Sequence, residues 1–382
     1  MTIIKPQLPV GFHSNRETRE VYLWPTQNPH MPELVEQKLG RKLNNKEEPY
    51  DSIQYPTTEE YKKDLQTLLN LPNNQGDPEI SYMGINLKNE DLRDVDLSGK
   101  NFREANFRGA NLKGADLSET DLTGANLSQA NATEADFTEA VLAGANLSGA
   151  NLSEADLSLA MLNYAKLRNA NLEEANLTDA DLGNATLTTA NLSSANLTGT
   201  SFEKANLMGA NLESVYAERI PTEGSKINFD EKPVDFTRAN LNGANFSKAS
   251  LPNGLFFKAF FKRANLTEAD LSGAWVEEAN LKKANLDRTN LTGANLTSAR
   301  LQFAKLHNTD LTEAELVGTN FDSADATGAN FSNVQLAPAL VNFWKGCKIP
   351  NAVVEVNSPL HREMLNGGAE GLVKGETQKA DS

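Results

Sequence analysis

A five-residue period runs through most of the chain and constrains its fold more than any other feature. A large apolar residue returns at nearly every fifth position from Leu87 to Leu212, a run of 26 repeats in which Ala132 is the small exception, and from Phe236 to Leu336, a run of 21. Alanine precedes nearly every large residue by two positions, with Asn or Asp between them, so the unit reads Ala-(Asn/Asp)-Leu-x-x. Five residues match neither the helix period nor strict strand alternation. The pattern predicts a short strand followed by a corner, with one large and one small side chain pointing inward.

This unit resembles the signature of the pentapeptide-repeat proteins, a family abundant in cyanobacteria. The resemblance implies an all-β solenoid: a right-handed quadrilateral parallel β-helix of 47 repeats in two stacks. It also implies four repeats, or 20 residues, per coil, so that neighbouring coils stack at strand spacing of roughly 4.8 Å. Small inward alanines suit the narrow interior of such a coil, because a larger side chain there would overpack it.

Breaks in the period predict the domain organisation. Leu212 and Phe236 are 24 positions apart, which is not a multiple of five, so the segment between them resets the phase and reads as an inserted loop. We therefore expect an N-terminal region at 1–80, a first stack at 81–217, a loop at 218–233, a second stack at 234–336, a C-terminal cap or dimer contact at 337–365, and a disordered tail at 366–382.

The ends of a repeat stack need covers, because an end coil has a neighbour on one side only. Glu90 and Lys100 occupy small inward positions in the first coil, which predicts an end covered by another element. Short helices are predicted in the N-terminal region, one starting at the capping-box pair Thr57 and Glu60 and one near 32–39. An apolar cluster after the last repeat is a candidate cap or dimer contact, and it comprises Leu340, Val341, Phe343 and Trp344.

Charge limits the partners of the chain. It contains 51 acidic and 36 basic residues, a formal net charge of −15, which argues against direct binding to nucleic acid or to an anionic bilayer. The N-terminus lacks the apolar stretch of a signal peptide, and no segment approaches the roughly 18 apolar residues of a membrane span. The expectation is a cytoplasmic protein with no membrane span.

The sequence offers few residues for catalysis. None of the four histidines has metal-ligand spacing, and His307 occupies an outward repeat position. Lys345 and Lys348 flank the single cysteine, Cys347, but its apolar surroundings favour a structural role over a reactive one. Glycine-rich phosphate loops are absent. We therefore predict no enzyme, no cofactor and no metal site.

Acidic residues concentrate in the first run of repeats. Residues 84–213 contain 19 acidic and 9 basic residues, whereas residues 236–336 contain ten of each. Placing the first run on 20-residue coils gathers 11 acids on one side and its adjoining corners. They are Asp94, Asp96, Asp116, Glu119, Glu134, Asp136, Glu139, Glu154, Asp156, Glu174 and Asp179. Two interpretations remain open, a solvated face and a partner-binding face.

Two functions follow from these features. The first is a non-enzymatic scaffold or regulatory protein that binds another protein of unknown identity, with a homodimer through the C-terminal end as a further expectation. The second, implied by the resemblance, is a DNA mimic that binds a type II topoisomerase such as DNA gyrase through the acidic face. The N-terminal region and a basic cluster weaken the second, and the cluster comprises Lys262, Arg263, Lys282 and Lys283.

Overall fold

The computed structural model describes residues 12–15, 20–23, 51–54, 63, 67, 69, 82–217, 232–336, 344–352, 354 and 358–371. The chain divides into two compact units, Met1–Asn176 and Leu177–Ser382, which are called unit 1 and unit 2. Each unit is described by itself below.

Unit 1 begins with a small β-sheet in the N-terminal region. Strands β1 (Phe12–Asn15), β2 (Glu20–Leu23) and β3 (Asp51–Gln54) form an antiparallel sheet in the order β1-β2-β3. This sheet was not predicted from the sequence, which indicated short helices for the region. Helical structure does follow the predicted capping box, where the hydroxyl of Thr67 donates to the carbonyl of Lys63 at 2.9 Å. The helix predicted near 32–39 lies outside the described residues.

The repeats of unit 1 form coils of four. Single parallel β-bridges join residues 20 positions apart, from Asn86↔Asn106 through Asp156↔Asn176. Each side of a coil is one short strand segment, because a turn follows every large inward residue. In the turn after Phe102 the amide of Ala105 donates to the Phe102 carbonyl at 3.0 Å, and Glu104 has a φ of +59°. A positive φ at the third residue is typical of type II turns.

Side chains of two sizes fill the interior of the coils. The large inward residues and the alanines are almost completely buried, as the sequence pattern requires. Polar side chains at the small inward position are also buried, including Glu90 at 2% and Lys100 at 6% exposure. Lys100 donates to the backbone carbonyl of Asp96 at 3.2 Å, and burial lowers the pKa of its ammonium group. Tyr82 at the start of the coils is fully buried and stacks on Phe102, with ring centroids 5.0 Å apart.

Unit 2 contains the predicted insertion, but the ladder continues across it. The bridge Ser201↔Asp235 joins residues 34 positions apart instead of 20, so 14 extra residues are accommodated at one corner. The rings of Phe202 and Phe236 stack across this point at 4.8 Å, and Phe236 stacks in turn on Phe256 at 5.3 Å. The expectation of two separate stacks is therefore wrong at the loop. The loop itself, from 218 to 231, lies outside the described residues.

The ladder of unit 2 also extends past the last regular repeat. Asp325 pairs with Lys348, 23 positions later, and Lys348 pairs with Glu370. Cys347 occupies the small inward position of this additional coil, and Trp344 the large one. The Trp344 ring stacks on Phe321 with centroids 4.4 Å apart and planes 5° apart.

Helix α1 (Pro359–Gly367) lies against this additional coil. Its residues Leu360 and Met364 are buried, and a Cβ atom at Gly367 would lie 2.9 Å from the Trp344 Cβ. Trp344 has no exposed surface, so it is not available for the predicted dimer contact. The predicted tail also begins too early, because the amide of Glu370 donates to the Cys347 carbonyl at 2.7 Å. Leu340, Val341, Phe343 and residues 372–382 lie outside the described residues.

Candidate interaction surface

Four aspartates stack in one column on a single side of unit 1. Consecutive β-bridges join Asp96, Asp116, Asp136 and Asp156, so each carboxylate sits one coil from the next. Neighbouring strands lie roughly 4.8 Å apart, which sets the spacing of the column. Asp96 is exposed and the other three are half-buried. The structure therefore brings these four predicted residues together.

Acidic residues also occupy the two corners that border this column. Asp94, Glu134, Glu154 and Glu174 stand at one corner with φ values of +57° to +59°, in the third position of successive turns. Glu119 and Glu139 stand at the other, and backbone hydrogen bonds of 2.8 and 3.0 Å tie them to the following coil. All six side chains are exposed. With the column, they form the acidic side: Asp94, Asp96, Asp116, Glu119, Glu134, Asp136, Glu139, Glu154, Asp156 and Glu174.

Two residues change the membership that the sequence predicts. Asp179 belongs to unit 2, so it is not part of the acidic side of unit 1. Glu173, an exposed acid beside Glu174 at the same corner, joins the acidic side although it was not predicted from the sequence. Its 20-residue offset from Ser153 in the same corner position was the signal that would have placed it there.

Each aspartate of the column has a local structural role. The Oδ1 atoms of Asp96, Asp116 and Asp156 accept the amide of the serine two residues later at 2.9 Å. Asp136 accepts the amide of Thr138 at 2.8 Å. Asn and Asp side chains commonly bond the backbone two residues on in this way. The bond satisfies a turn amide, and asparagine makes it too at a slightly greater length, as Asn126 does with Ser128 at 3.1 Å.

Asparagine makes a second bond that aspartate cannot make. On the opposite side of the same coils, the amide of Asn106 donates to the Asn86 side chain at 3.0 Å. The adjacent side has the same ladder, with bonds of 3.1 Å from Asn131 to Asn111 and 3.0 Å from Asn171 to Asn151. An ionised carboxylate only accepts hydrogen bonds, so three consecutive steps of the aspartate column lack this ladder. The column ends where Asn176 donates to Asp156 at 3.1 Å.

Few cations offset the charge of the acidic side. Lys113 forms an ion pair with Glu134 at 2.8 Å, and the Lys100 ammonium lies 4.0 Å from Asp96 beneath the column. Hydrogen bonds from Ser98, together with Lys100, hold the pKa of Asp96 below its usual range. Three carboxylates of the column and most of the corner acids have no cation paired with them in the ion pairs of the described residues. The acidic side is therefore strongly negative.

Exposed apolar residues lie next to the acidic side at one end of unit 1. Leu159 follows Glu139 in the corner column and is 50% exposed. Met161, on the neighbouring side, is 44% exposed and bridges to Val141. Tyr164, at the next corner, is 66% exposed. Aromatic residues and methionine are enriched at the centres of protein–protein interfaces.

The described residues show no arrangement suited to catalysis. No group of three or more potential metal ligands occurs in that part of the chain. Burial raises the pKa of the Cys347 thiol to about 12, so the neighbouring lysines do not activate it. The imidazole of His307 contacts two carboxylates, Asp287 at 2.8 Å and Asp325 at 3.4 Å. Within the same residues, no helix has the length and apolar character needed to cross a membrane.

Several solved structures that are similar to this chain are those of pentapeptide-repeat proteins. HetL, involved in heterocyst differentiation regulation in the cyanobacterium Nostoc sp. strain PCC 7120, is 33% identical over 56% of this chain and 88% of its own, with a TM-score of 0.25. Rfr23 from the cyanobacterium Cyanothece 51142 is 32% identical over 39% of this chain and 91% of its own, with a TM-score of 0.23. QnrB1, a plasmid-mediated fluoroquinolone resistance protein, is 18% identical over 60% of this chain and 90% of its own, with a TM-score of 0.25. No curated protein sequence matches the chain.

The sequence model of one family matches most of the repeat region. The model of pentapeptide repeats matches residues 85–124, 121–158, 140–179, 155–193, 175–213, 234–254, 258–282, 277–312 and 304–337. These ranges together include more than half of the 382 residues. The right-handed quadrilateral β-helix of this family agrees with the 20-residue ladder of each unit. The chain therefore belongs to the pentapeptide-repeat family.

Proposed function

We propose that the protein is a non-enzymatic interaction scaffold whose acidic side binds a positively charged surface of another protein. The column of four stacked aspartates carries this proposal. Asparagine at the same positions would keep every turn bond and add a hydrogen bond between coils. Aspartate instead places like charges at strand spacing, where each pair repels by about 1 kcal/mol in water. By this comparison the aspartate column is less stable than an asparagine column would be, so we assign the carboxylates to recognition.

The neighbouring apolar residues define the rest of the partner's chemistry. Charged groups at an interface mainly steer association and select the partner, whereas buried aromatic and apolar anchors supply most of the affinity. Leu159, Met161 and Tyr164 are exposed beside the carboxylates and can serve as anchors. The partner we expect therefore presents lysines or arginines next to an apolar pocket.

We assign other parts of the chain to supporting roles. The coil that contains Trp344, together with helix α1, would act as a C-terminal cap, because Trp344 covers the Phe321 ring and is itself covered at Gly367. The N-terminal region and the loop at 218–233 would add specificity, since loops on a rigid framework often bind partners.

DNA mimicry toward a type II topoisomerase such as gyrase is the second candidate. The regular line of carboxylates in unit 1 favours it. The axial spacing does not favour mimicry, because the coils are roughly 4.8 Å apart, whereas the phosphates of one DNA strand advance by about 3.4 Å along the helix axis. Unit 2 also has exposed cations that a phosphate mimic would not need. Protein binding of the broader kind is therefore the better-supported function.

A matched pair of variants tests the scaffold proposal. D116N/D136N removes two charges from the acidic side and retains the turn bonds. D270N/D310N removes two charges from the same repeat position in unit 2, where both aspartates also bond the amide two residues later. Partners are first identified by cross-linking the full chain in its native extract, and their affinities are then measured with purified proteins.

We expect D116N/D136N to weaken partner binding by at least about tenfold, a loss of 1.4 kcal/mol. We expect D270N/D310N to bind as the unchanged protein does. Equal binding by all three proteins would remove the acidic side from the function. Inhibition of gyrase supercoiling that D116N/D136N abolishes would instead support the mimic.

A further inference from the structure

One corner of unit 2, with the two sides that it joins, is positively charged. Its cations are exposed except for Lys282, which is half-buried, and none forms an ion pair within the described residues. From Asn240 to Lys305 no carboxylate occurs at the outward positions of this sector. We call these six cations the basic strip: Lys262, Arg263, Lys282, Lys283, Arg300 and Lys305.

Exposed aromatic rings accompany the basic strip. Phe260 is 47% exposed and lies on the side that bridges to Asn280 and then to Arg300. Phe303 is 52% exposed at the corner, with the Lys282 and Lys283 ammonium groups 5.5 and 5.9 Å from its ring centroid. Cations held over an aromatic face in this way are partly ordered before any partner arrives. The strip therefore combines unpaired positive charge with apolar anchors.

The acidic side of unit 1 has the complementary composition. It presents stacked carboxylates with Leu159, Met161 and Tyr164 exposed beside them. In both surfaces, parallel β-bridges join residues 20 positions apart, so the charges recur from coil to coil at the same spacing of roughly 4.8 Å. One chain thus contains two surfaces of opposite charge and equal repeat.

We propose that the basic strip of one copy docks on the acidic side of a second copy. Opposite charges at matched spacing would steer the two surfaces together, and the exposed aromatic and aliphatic side chains would be covered. Because the contact joins two different surfaces, repeated contacts either close into a ring of copies or extend into an open chain of copies. Because both contacts would use the acidic side, a second copy and the partner proposed above would compete for it, but neither proposal rests on the other.

Complementary charge reversal tests the proposal on the full chain. The first variant, K262E/R263E/K282E/K283E, makes the strip acidic. The second, E119K/E134K/E139K/E154K, makes the acidic side basic. The repeat accepts both exchanges, because Lys204 and Lys248 already stand at corner positions with φ of +59°, as Glu104 does. A control with the same charge change as the first variant, K88E/R108E/K166E/R168E, alters unit 1 away from its acidic side.

Sedimentation velocity should show that the unchanged protein self-associates at low salt and dissociates at about 0.5 M salt, where charges are screened over a few ångströms. Each reversal variant alone should associate at least about tenfold more weakly. Their mixture should regain association, because each then offers the surface that the other needs. The control should associate as the unchanged protein does.

Several outcomes would overturn the proposal. The unchanged protein could remain monomeric at about 100 µM in low salt, well above the micromolar range of modest interfaces. The mixture could fail to associate, or the control could lose association as fully as the first variant. A monomer whose strip binds labelled single-stranded DNA or poly-glutamate would show that another polyanion occupies it. Partner binding is measured separately, so failure here leaves the scaffold proposal standing.

Discussion

The same repeat position is filled differently in the two units. In unit 1 the column contains four consecutive aspartates, Asp96 through Asp156. In unit 2 one column reads Ser250, Asp270, Asn290, Asp310 and Asn330, so acids and amides alternate. There the amide of Asn290 donates to Asp270 at 2.9 Å, and the amide of Asn330 donates to the Thr312 hydroxyl at 2.8 Å. Of these two columns, the one in unit 1 places carboxylate next to carboxylate, and the one in unit 2 does not.

This contrast separates two roles that the Asn/Asp position combines. Accepting the turn amide is a local role, and both residues perform it. Donating to the neighbouring coil is a role for asparagine alone, worth about 0.5–1.5 kcal/mol per bond at this kind of site. Adding the repulsion of about 1 kcal/mol per neighbouring pair, the aspartate column is the less stable arrangement at low salt. The alternating column of unit 2 shows how the repeat includes acids without this cost.

The largest effect is expected when the two central aspartates of the unit 1 column are replaced by asparagine. D116N/D136N should raise the free energy of unfolding by up to about 5 kcal/mol at low salt, because two new amide bonds add about 1 kcal/mol each and three like-charge contacts of about 1 kcal/mol each disappear. Urea unfolding at low salt measures the change. D270N/D310N is the control: the new asparagine at 310 can donate to Asn290, but no like-charge contact is removed, so stability should rise by only about 1 kcal/mol and without salt dependence. A destabilised D116N/D136N would show that the carboxylates support the fold.

The reverse change in unit 2 should have the opposite sign. N290D retains the turn bond to Thr292 but loses the bond to Asp270 and places three carboxylates in succession. We expect a loss of up to about 3 kcal/mol at low salt, one bond and two like-charge contacts, part of which returns at high salt because repulsion is screened. N290Q removes the turn geometry without adding charge and should not show the salt dependence. Equal salt dependence in both variants would contradict the role given to repulsion.

The repeat itself made most of the fold predictable. Leu87 through Leu212 predict a short strand and a corner in each repeat, and the resemblance to pentapeptide-repeat proteins implies the coil of four repeats. The strands β1 to β3 escaped prediction because each has only four residues, too few to show a period. The additional coil at Trp344 escaped because its ladder partners are 23 residues apart instead of 20. Its sequence signal is present, since Trp344 and Ile349 are large inward residues five positions apart with Cys347 between them.

The candidate surface was predictable only as an arrangement of columns. A 20-residue coil places Asp96 above Asp116, and the structure has that bridge. The spacing alone did not reveal that each carboxylate is bonded to a turn amide, or that Lys100 lies beneath Asp96. Those contacts depend on side-chain directions, which a period in the sequence does not contain. The ladder across the loop was missed for a similar reason, because an insertion at a corner leaves the strand segments free to pair.

The smallest effect concerns the pH dependence of the end of the column. Hydrogen bonds from Ser98 and the proximity of Lys100 lower the pKa of Asp96 in the folded chain. A carboxylate with a lowered folded pKa adds stability above its unfolded pKa of about 3.9, and this contribution is lost as pH falls through the folded value. D96N should therefore lose less stability than the unchanged protein between neutral pH and about pH 3. The difference should be slight, because the Asp96 side chain is 66% exposed and solvent screens it.

Thermal unfolding across this pH range measures the difference in stability loss, and D156N, at the other end of the column and far from Lys100, is the matched comparison. An identical acid response in D96N and the unchanged protein would mean that Ser98 and Lys100 do not hold the Asp96 carboxylate in its charged form.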